Sequence, residues 1–492
     1  MRLKQWGRHF FVYGFGVVLM NLLPALMIPI YTHRIVPSEF GALELLNRSQ
    51  EILMVFLSFG LRSALLTFYQ MEKDNPERQK GIYSTALHFL IVAGLVVILA
   101  SLAAAGKLSQ VLFNSSSYTS AVILILAATY FEMLFQMAVL YLQSELRSSL
   151  YVTACVGRLL FALVLNLLLV YWWRWGLSGI LWATLIHSAV FAIILLAYIL
   201  RRTGWTFDSS LLREMLRFGF PLIPASAIGF FFNNGDRYFL NVFATRADVG
   251  IYGLGYKIGM LSMLLVMMPF GKIWSVTMVD ISRRADGRSE LGKIATYLLA
   301  ACTASTLILS LMCPYLVRLL APGTYWAAYR LVPLISTAYL FYSWTVVMDA
   351  SFYITKRTIY KPIVLAISSL VIAGLYWYLI PRFGLMGAAW ATLGGFASFA
   401  VLTGIMAQHV YRIEYQYGRI AALLILGFLV YEGGSLIPVE PVVVGFLARS
   451  AALLAFPVIL WIGGFLTAQE KTALGKYWQG LWFRFQEPVG TP

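Results

Sequence analysis

The chain has 492 residues, of which 60% are apolar and 12% charged, with a mean hydropathy of +0.78. Soluble domains run at about 45–50% apolar and about 25% charged, so a water-soluble globule is excluded and so is intrinsic disorder. The charge is lopsided, 37 Lys and Arg against 21 Asp and Glu for a net +16, a bias that fits nucleic acid, anionic lipid, an anionic substrate or membrane topology.

Arg2, Lys4 and Arg8 precede an apolar run in the manner of a signal peptide. The run passes Tyr31 without a small-residue cleavage site, so it reads as a retained first span. Windows of about 20 apolar residues predict an all-α polytopic membrane protein of about fourteen spans. The first six lie near 10–31, 40–69, 82–105, 119–145, 150–173 and 176–200. Six more lie near 216–243, 249–276, 294–320, 326–354, 362–380 and 384–410, and two near 420–437 and 443–466. No polar interval is long enough for a soluble domain. Asp208 is placed to cap a short amphipathic helix over 211–216, lying on the membrane ahead of the seventh span. The tail, with Lys471, Trp478 and Arg484, reads as interfacial. Cys155, Cys302 and Cys313 fall in apolar stretches without ligand spacing, so they predict packed thiols rather than a disulfide or metal site. Gly287-Arg-Ser-Glu-Leu-Gly292-Lys293 follows no strand, and Ile294 stands where a phosphate loop needs Ser or Thr, so no nucleotide site is predicted.

Fourteen spans put both termini on one side. With that side inside, 24 of the 37 cations fall in inside segments, eight at outside margins and five within spans. This positive-inside bias predicts cytoplasmic termini. Most of the excess charge is then topology, and no nucleic-acid partner is implied.

The chain also repeats itself. Arg174-Trp-Gly-Leu-Ser-Gly-Ile-Leu-Trp-Ala-Thr-Leu185 returns as Arg382-Phe-Gly-Leu-Met-Gly-Ala-Ala-Trp-Ala-Thr-Leu393, identical at eight of twelve positions at an offset of 208. Glu39-Phe-Gly41 is echoed by Asp248-Val-Gly250 at an offset of 209, which sets Arg48 on Lys257. Spans 1–6 (residues 1–202) and 7–12 (203–413, opened by the interfacial linker helix) read as two copies of one unit, with 414–492 appended. Six spans per copy make the repeats parallel, and repeat transporters bind substrate where the copies meet.

This organisation resembles the multidrug/oligosaccharidyl-lipid/polysaccharide (MOP) exporter superfamily and its MATE-like fold. Gly14-Phe-Gly16, Pro24, Pro29-Ile-Tyr31, Glu39-Phe-Gly41, Asp236-Arg-Tyr238 and Val249-Gly-Ile-Tyr-Gly253 resemble its polysaccharide transporter branch, the Wzx-type flippases. The resemblance implies two six-helix lobes around a cavity lined by spans 1, 2, 7 and 8. It also implies alternating access that carries an undecaprenyl-pyrophosphate-linked oligosaccharide to the outer leaflet of a bacterial plasma (inner) membrane. The product would feed O-antigen (lipopolysaccharide), capsule or exopolysaccharide synthesis. An ion gradient, Na+ or H+, is the implied drive, with no other cofactor, and a polysaccharide polymerase is an implied partner beside membrane lipids.

Arg48, Arg62, Arg158, Arg237 and Lys257 are the cations within spans, and a charge there needs a partner or a wet cavity. Arg48 lies eleven residues past Pro37, about 16 Å along a helix and near mid-membrane. Lys257 has matching depth in the other copy, and together they are candidates to hold one pyrophosphate. Glu44 and Glu51 at helical spacing can instead neutralise Arg48 along its own helix. Arg62 and Arg237 are further candidates for substrate headgroups, and Arg158 is set to pair with Glu132. The polar run Asn233-Asn-Gly-Asp-Arg237 reads as an interruption of the seventh span, with Asp236, Asn233 and Asn234 as candidate ion ligands or Asp236–Arg237 as a latch. Pro24, Pro29, Pro221 and Pro224 are hinge candidates. No catalytic residue or resident metal is predicted, and the chain reads as a carrier rather than an enzyme. A MATE-type drug exporter is the alternative, weakened because residues 10–31 hold no acid. A membrane polymerase or ligase is further off, because every outer loop is short.

Overall fold

In a computed structural model of the chain, residues 26–465 are described. The hinge candidate Pro24, most of the first span and the basic aromatic tail lie outside the described residues, of which 26–32 are helical. Every other regular element among them is helical too, with no strand. In chain order the α-helices are α1 (Pro37–Leu57), α2 (Leu61–Met71), α3 (Pro76–Ala103), α4 (Ala105–Phe113), α5 (Thr119–Ser144), α6 (Ser148–Asn166) and α7 (Gly176–Thr203). Then come α8 (Ser209–Gly219), α9 (Leu222–Phe243), α10 (Arg246–Ser282), α11 (Gly287–Leu320), α12 (Val332–Met348), α13 (Ala350–Ile354), α14 (Tyr360–Val410), α15 (Tyr417–Ser435) and α16 (Val442–Ile462).

Nine of the described helices are long and apolar enough to cross a membrane, and twelve spans result when each bent pair counts as one. The bent pairs are α1 with α2 at 47°, α8 with α9 at 42°, and Gly323–Arg330 with Val332–Ile354 at 43°. Helix α14 is two helices joined at Gly384, whose backbone is non-helical. All thirteen spans expected after the first are therefore present. The chain is a multi-pass membrane protein.

Local chemistry sets the helix ends. Pro37 and Pro76 occupy first-turn positions, where the missing N–H does no harm. Asn75 Oδ1 accepts from Arg78 N at 3.2 Å to cap α3. Asp208 caps α8 as expected, its Oδ1 accepting from Ser210 N at 2.8 Å and Leu211 N at 3.1 Å. The Ser210 hydroxyl and these amides hold the Asp208 carboxyl below its ordinary range. The cap is therefore fully formed above the ordinary carboxylate range and lost as pH falls through the lowered value. Outward faces follow lipid as solvent: Val92, Val96 and Leu99 form an exposed apolar stripe on α3.

The chain forms two compact units. One holds the described residues up to Lys257 with Val317–Leu331 and Lys361–Phe399. A core in it is built from Leu65, Leu87, Leu134 and Leu142 with edge-packed Tyr69, Tyr83 and Tyr141. The other holds Ile258–Leu316, Val332–Tyr360 and the described residues from Ala400, with Trp274, Leu299, Phe352 and Leu423 at its core. In this second unit Arg449, 6% exposed, donates to the carbonyls of Ile437 at 2.7 Å and Leu311 at 3.1 Å. It ties α16 to α11 and to the segment that follows α15.

The internal repeat is visible in the backbone. Gly176 (φ 56°) and Gly384 (φ 53°) occupy the same left-handed position at the start of the two repeated segments, a conformation that disfavours any side chain. Three residues on, a Cβ at Gly179 would meet Leu169 O at 3.1 Å and one at Gly387 would meet Leu379 O at 2.2 Å. The repeat also organises the contact of α1 with α10. A Cβ on Gly41 would fall 1.9 Å from Arg246 O, and one on its counterpart Gly250 would fall 2.1 Å from Pro37 O. Lipid supplies no hydrophobic force between helices, so this approach of backbones is how the pair binds. Gly41→Leu should therefore destabilise by about 1–3 kcal/mol or more, read as a fall in the thermal unfolding midpoint in detergent. Gly81→Ala, whose Cβ meets nothing within 4 Å, should hold that midpoint or raise it.

Candidate functional site

From the Gly41–Gly250 contact, one helical turn along α1 and α10 leads to Glu44 and its repeat counterpart Gly253. Glu44 is 0% exposed and lies over that glycine, where a Cβ would sit 2.7 Å from Glu44 Cγ. One turn further come Arg48 and Lys257. Lys257 Nζ donates to Glu44 Oε1 and lies 4.7 Å over the Phe40 ring. Arg48 Nη2 is 3.7 Å from Glu44 Oε2. Arg48 Nη1 donates to both oxygens of Glu51 at 2.6 and 2.8 Å and to Asn234 Oδ1 at 3.2 Å. The two cations expected at matching depth thus converge on one carboxylate. Arg48 is neutralised along its own helix and Lys257 across the repeat. Their side chains keep exposures of 20% and 31%, so both still face open space.

Asn233, Asn234, Asp236 and Arg237 lie inside an unbroken helix. The expected interruption of the seventh span does not occur there: α9 runs from Leu222 to Phe243, and the break falls at Phe220–Pro221, ahead of it. The polar run can stay helical because most of its side-chain groups find partners without opening the backbone. Asn233 Nδ2 donates to Gly229 O at 2.8 Å and Asn234 Nδ2 to Phe230 O at 3.3 Å. Asp236 Oδ1 accepts from Arg237 Nη1 at 2.7 Å and from Arg237 N at 2.9 Å. Asp236 Oδ2 accepts from Tyr252 OH at 2.7 Å, and that hydroxyl also lies 3.0 Å from Thr392 Oγ1. The Arg237 guanidinium sits 3.7 Å from the Tyr256 ring centroid, a cation–π contact that adds to the pairing. With Asp236 at 0% and Arg237 at 2% exposure, this is a closed knot.

Arg62 lies elsewhere, on α2 beside the bend of the second span. It lines a cavity of about 290 Å³ with Glu51, Ser63, Gln136, Leu222 and Ser226. Its Nη1 donates to Gln136 Oε1 at 3.4 Å, and Gln136 Nε2 donates to Glu132 Oε1 at 3.1 Å. Glu132 forms the expected ion pair with Arg158, whose Nε donates to His187 Nδ1 at 3.2 Å. Pro221 and Pro224 flank the start of α9, immediately after the 42° bend. Pro29 lies in the helical residues 26–32, whose Thr32 donates to Leu320 O at 2.7 Å.

Residue spacing marked the cations and left the shared carboxylate unrecognised. One signal was available: at the 209 offset Glu44 faces a glycine, so the second copy leaves the room that Glu44 fills. The aromatic hydroxyls of Tyr252 and Tyr256 carried no spacing signal, because they matter only once α10 lies beside α9. No cluster of His, Cys, Asp and Glu suited to a metal occurs among the described residues.

The sequence profile of the family described as polysaccharide biosynthesis protein matches residues 6–274, more than half of the chain. No curated protein matches it in sequence. Among solved structures, the fold is similar to that of the lipid II flippase MurJ in an inward closed conformation, with a TM-score of 0.75 at 13% identity over 93% of this chain and 100% of that one. It is also similar to an inward-facing MATE-family multidrug resistance transporter of the MOP superfamily, with a TM-score of 0.66 at 16% identity over 82% of this chain and 95% of that one.

The Asp236–Arg237 knot makes a separable prediction. Asp236→Asn or Arg237→Gln alone leaves one buried charge unpaired and should destabilise by about 3–5 kcal/mol. The double substitution should destabilise by clearly less than the sum. Thermal unfolding of the four proteins in detergent measures the coupling, and strict additivity would show that the two groups do not act as a pair.

Proposed function

This chain belongs to the polysaccharide biosynthesis protein family, and from that membership we propose that it is a flippase for undecaprenyl-pyrophosphate-linked oligosaccharide. It moves the lipid-linked sugar from the cytoplasmic to the outer leaflet of the bacterial plasma membrane by alternating access, for O-antigen, capsule or exopolysaccharide assembly. The observation that carries this reading is the meeting of Arg48 and Lys257, from equivalent positions of the two repeats, at one carboxylate. Two cations that reach a single anionic oxygen pair have the spacing to reach the linked phosphates of a pyrophosphate. Arg48 acts as a fork and Lys257 as a point charge. A sugar carrier without a phosphate would have no use for either, and each charge costs at least about 2.5 kcal/mol to place in a bilayer.

The rest of the mechanism follows from the same helices. With cytoplasmic termini, the Pro37 end of α1 faces outward. That end is tied shut by the Gly41–Gly250 contact, by Thr32 to Leu320 O, and by Tyr325 OH donating to Ile35 O at 2.8 Å. Release to the outer leaflet requires these ties to open. The bends beside Gly60 and Pro221 allow it, since they join the halves of spans two and seven without a continuous hydrogen-bond ladder. Arg62, in the cavity beside both bends, is an early contact for the incoming headgroup. An ion gradient, Na+ or H+, drives the cycle, with the Asp236–Arg237 latch and its asparagines as the coupling elements, and a polymerase receives the product.

Deletion of the gene should abolish surface polysaccharide and accumulate the lipid-linked oligosaccharide, with complementation by the wild-type chain. Arg48→Ala and Lys257→Ala should each lower export at least about tenfold at normal protein abundance, the loss of one charged contact of about 1.5–3 kcal/mol. The double variant should fail to complement. Surface polymer at wild-type levels in the deletion strain, with altered dye resistance, would instead mark a MATE-type drug exporter.

A further inference from the structure

Glu44 differs from the other acids near the site. Glu51 is half exposed and pairs with Arg48, and Asp236 is sealed by Arg237 and Tyr252. Glu44 is fully buried, and it is the acid that both candidate phosphate ligands share among the described residues. Its two oxygens are used unequally: Oε1 takes the Lys257 ammonium, while Oε2 accepts no hydrogen bond among the described residues. Its side chain rests on Gly253, which presents no side chain to wedge it in place. The charges also balance. Arg48 and Lys257 oppose Glu44 and Glu51, and Arg237 opposes Asp236. The crossing of α1 and α10 is therefore neutral by itself, with Arg62 in the neighbouring cavity outside that count, although its cations are placed for an anion.

On the flippase reading above, a carrier must cross between its two conformations both loaded and empty. Loaded, the pyrophosphate neutralises the cations. Empty and without Glu44, Lys257 would face the low-dielectric interior unpaired and Arg48 would keep Glu51 alone, and the conformational change would carry that cost. We propose that Glu44 is a stand-in anion: it neutralises Lys257 and Arg48 in the empty carrier and is displaced by the substrate pyrophosphate. Glu44 thereby opposes binding and speeds the empty return. It is a positioning residue for the two cations and makes no contact with substrate. An electrostatic contact that is present in only one of two states shifts the balance between them by its differential strength.

Transport kinetics separate this role from a structural one. The purified full chain in proteoliposomes is given undecaprenyl pyrophosphate bearing one fluorescent monosaccharide. Net flipping requires the empty return, whereas exchange against excess unlabelled lipid on both leaflets does not. Glu44→Gln should bind the probe at least about fivefold more tightly and lower the ratio of net flux to exchange at least about tenfold, a change of about 1.4 kcal/mol in the empty step. Glu44→Asp, with the charge at shorter reach, should fall between wild type and Glu44→Gln on both measures, and it carries the test where Glu44→Gln does not fold. Equal loss of net flux and exchange, or weaker binding, overturns the stand-in role. Wild-type protein that neither binds nor moves the probe overturns the flippase reading itself.

Discussion

In a bilayer an unpaired charge finds no water, so an ion within a span must bring a partner or, as Arg62 does, face a cavity. This constraint shapes the site more than any other. Glu132 holds Arg158, Asp236 holds Arg237, and Glu44 holds Lys257 with Arg48 at its other oxygen. Arg449 meets the same demand with backbone carbonyls. The pairs differ in exposure, and that difference separates a sealed knot at Arg237 from accessible cations at Arg48 and Lys257. The Asp236–Arg237 pair is closed on all sides, the Glu132–Arg158 pair is partly open, and the proposed substrate ligands keep an open face.

The second organising feature is the repeat and its controlled departures. Equal positions of the two copies touch at Gly41 and Gly250, where both backbones need the space a side chain would take. One turn on, equivalence is broken: Glu44 stands opposite Gly253, so a single carboxylate occupies the volume that two would contest. A further turn on, Arg48 and Lys257 restore the likeness in charge but not in shape. Two glutamates at the crossing would repel and overfill it, and two glycines would leave Lys257 unpaired and Arg48 with Glu51 alone. The asymmetry is what makes the crossing neutral.

Much of this was legible beforehand. The spans, the parallel repeat and the cations at matching depth follow from apolar run length and a fixed offset, which are properties of the chain alone. The seventh span shows the limit. A run of Asn, Asn, Gly, Asp and Arg has the composition of a helix end, yet α9 passes through it. Its amides turn back to their own helix, and its charges are met by Tyr252 and Tyr256 on α10. The real break, at Phe220–Pro221, carried the ordinary proline signal and was read as a hinge within a longer helix.

The excess of positive charge on an apolar chain resolves in the same way. Composition and spacing by themselves determined that the chain crosses a membrane many times, that it does so in two like-oriented copies, and which few cations lie at depth. These are consequences of solvent and period, which act residue by residue along the sequence. Only the tertiary structure decided that Glu44 joins two of those cations, that Asp236 is shut away, and that the copies meet glycine to glycine. Each of these depends on which helix lies beside which, and residues more than 200 positions apart in sequence become neighbours only when the helices pack.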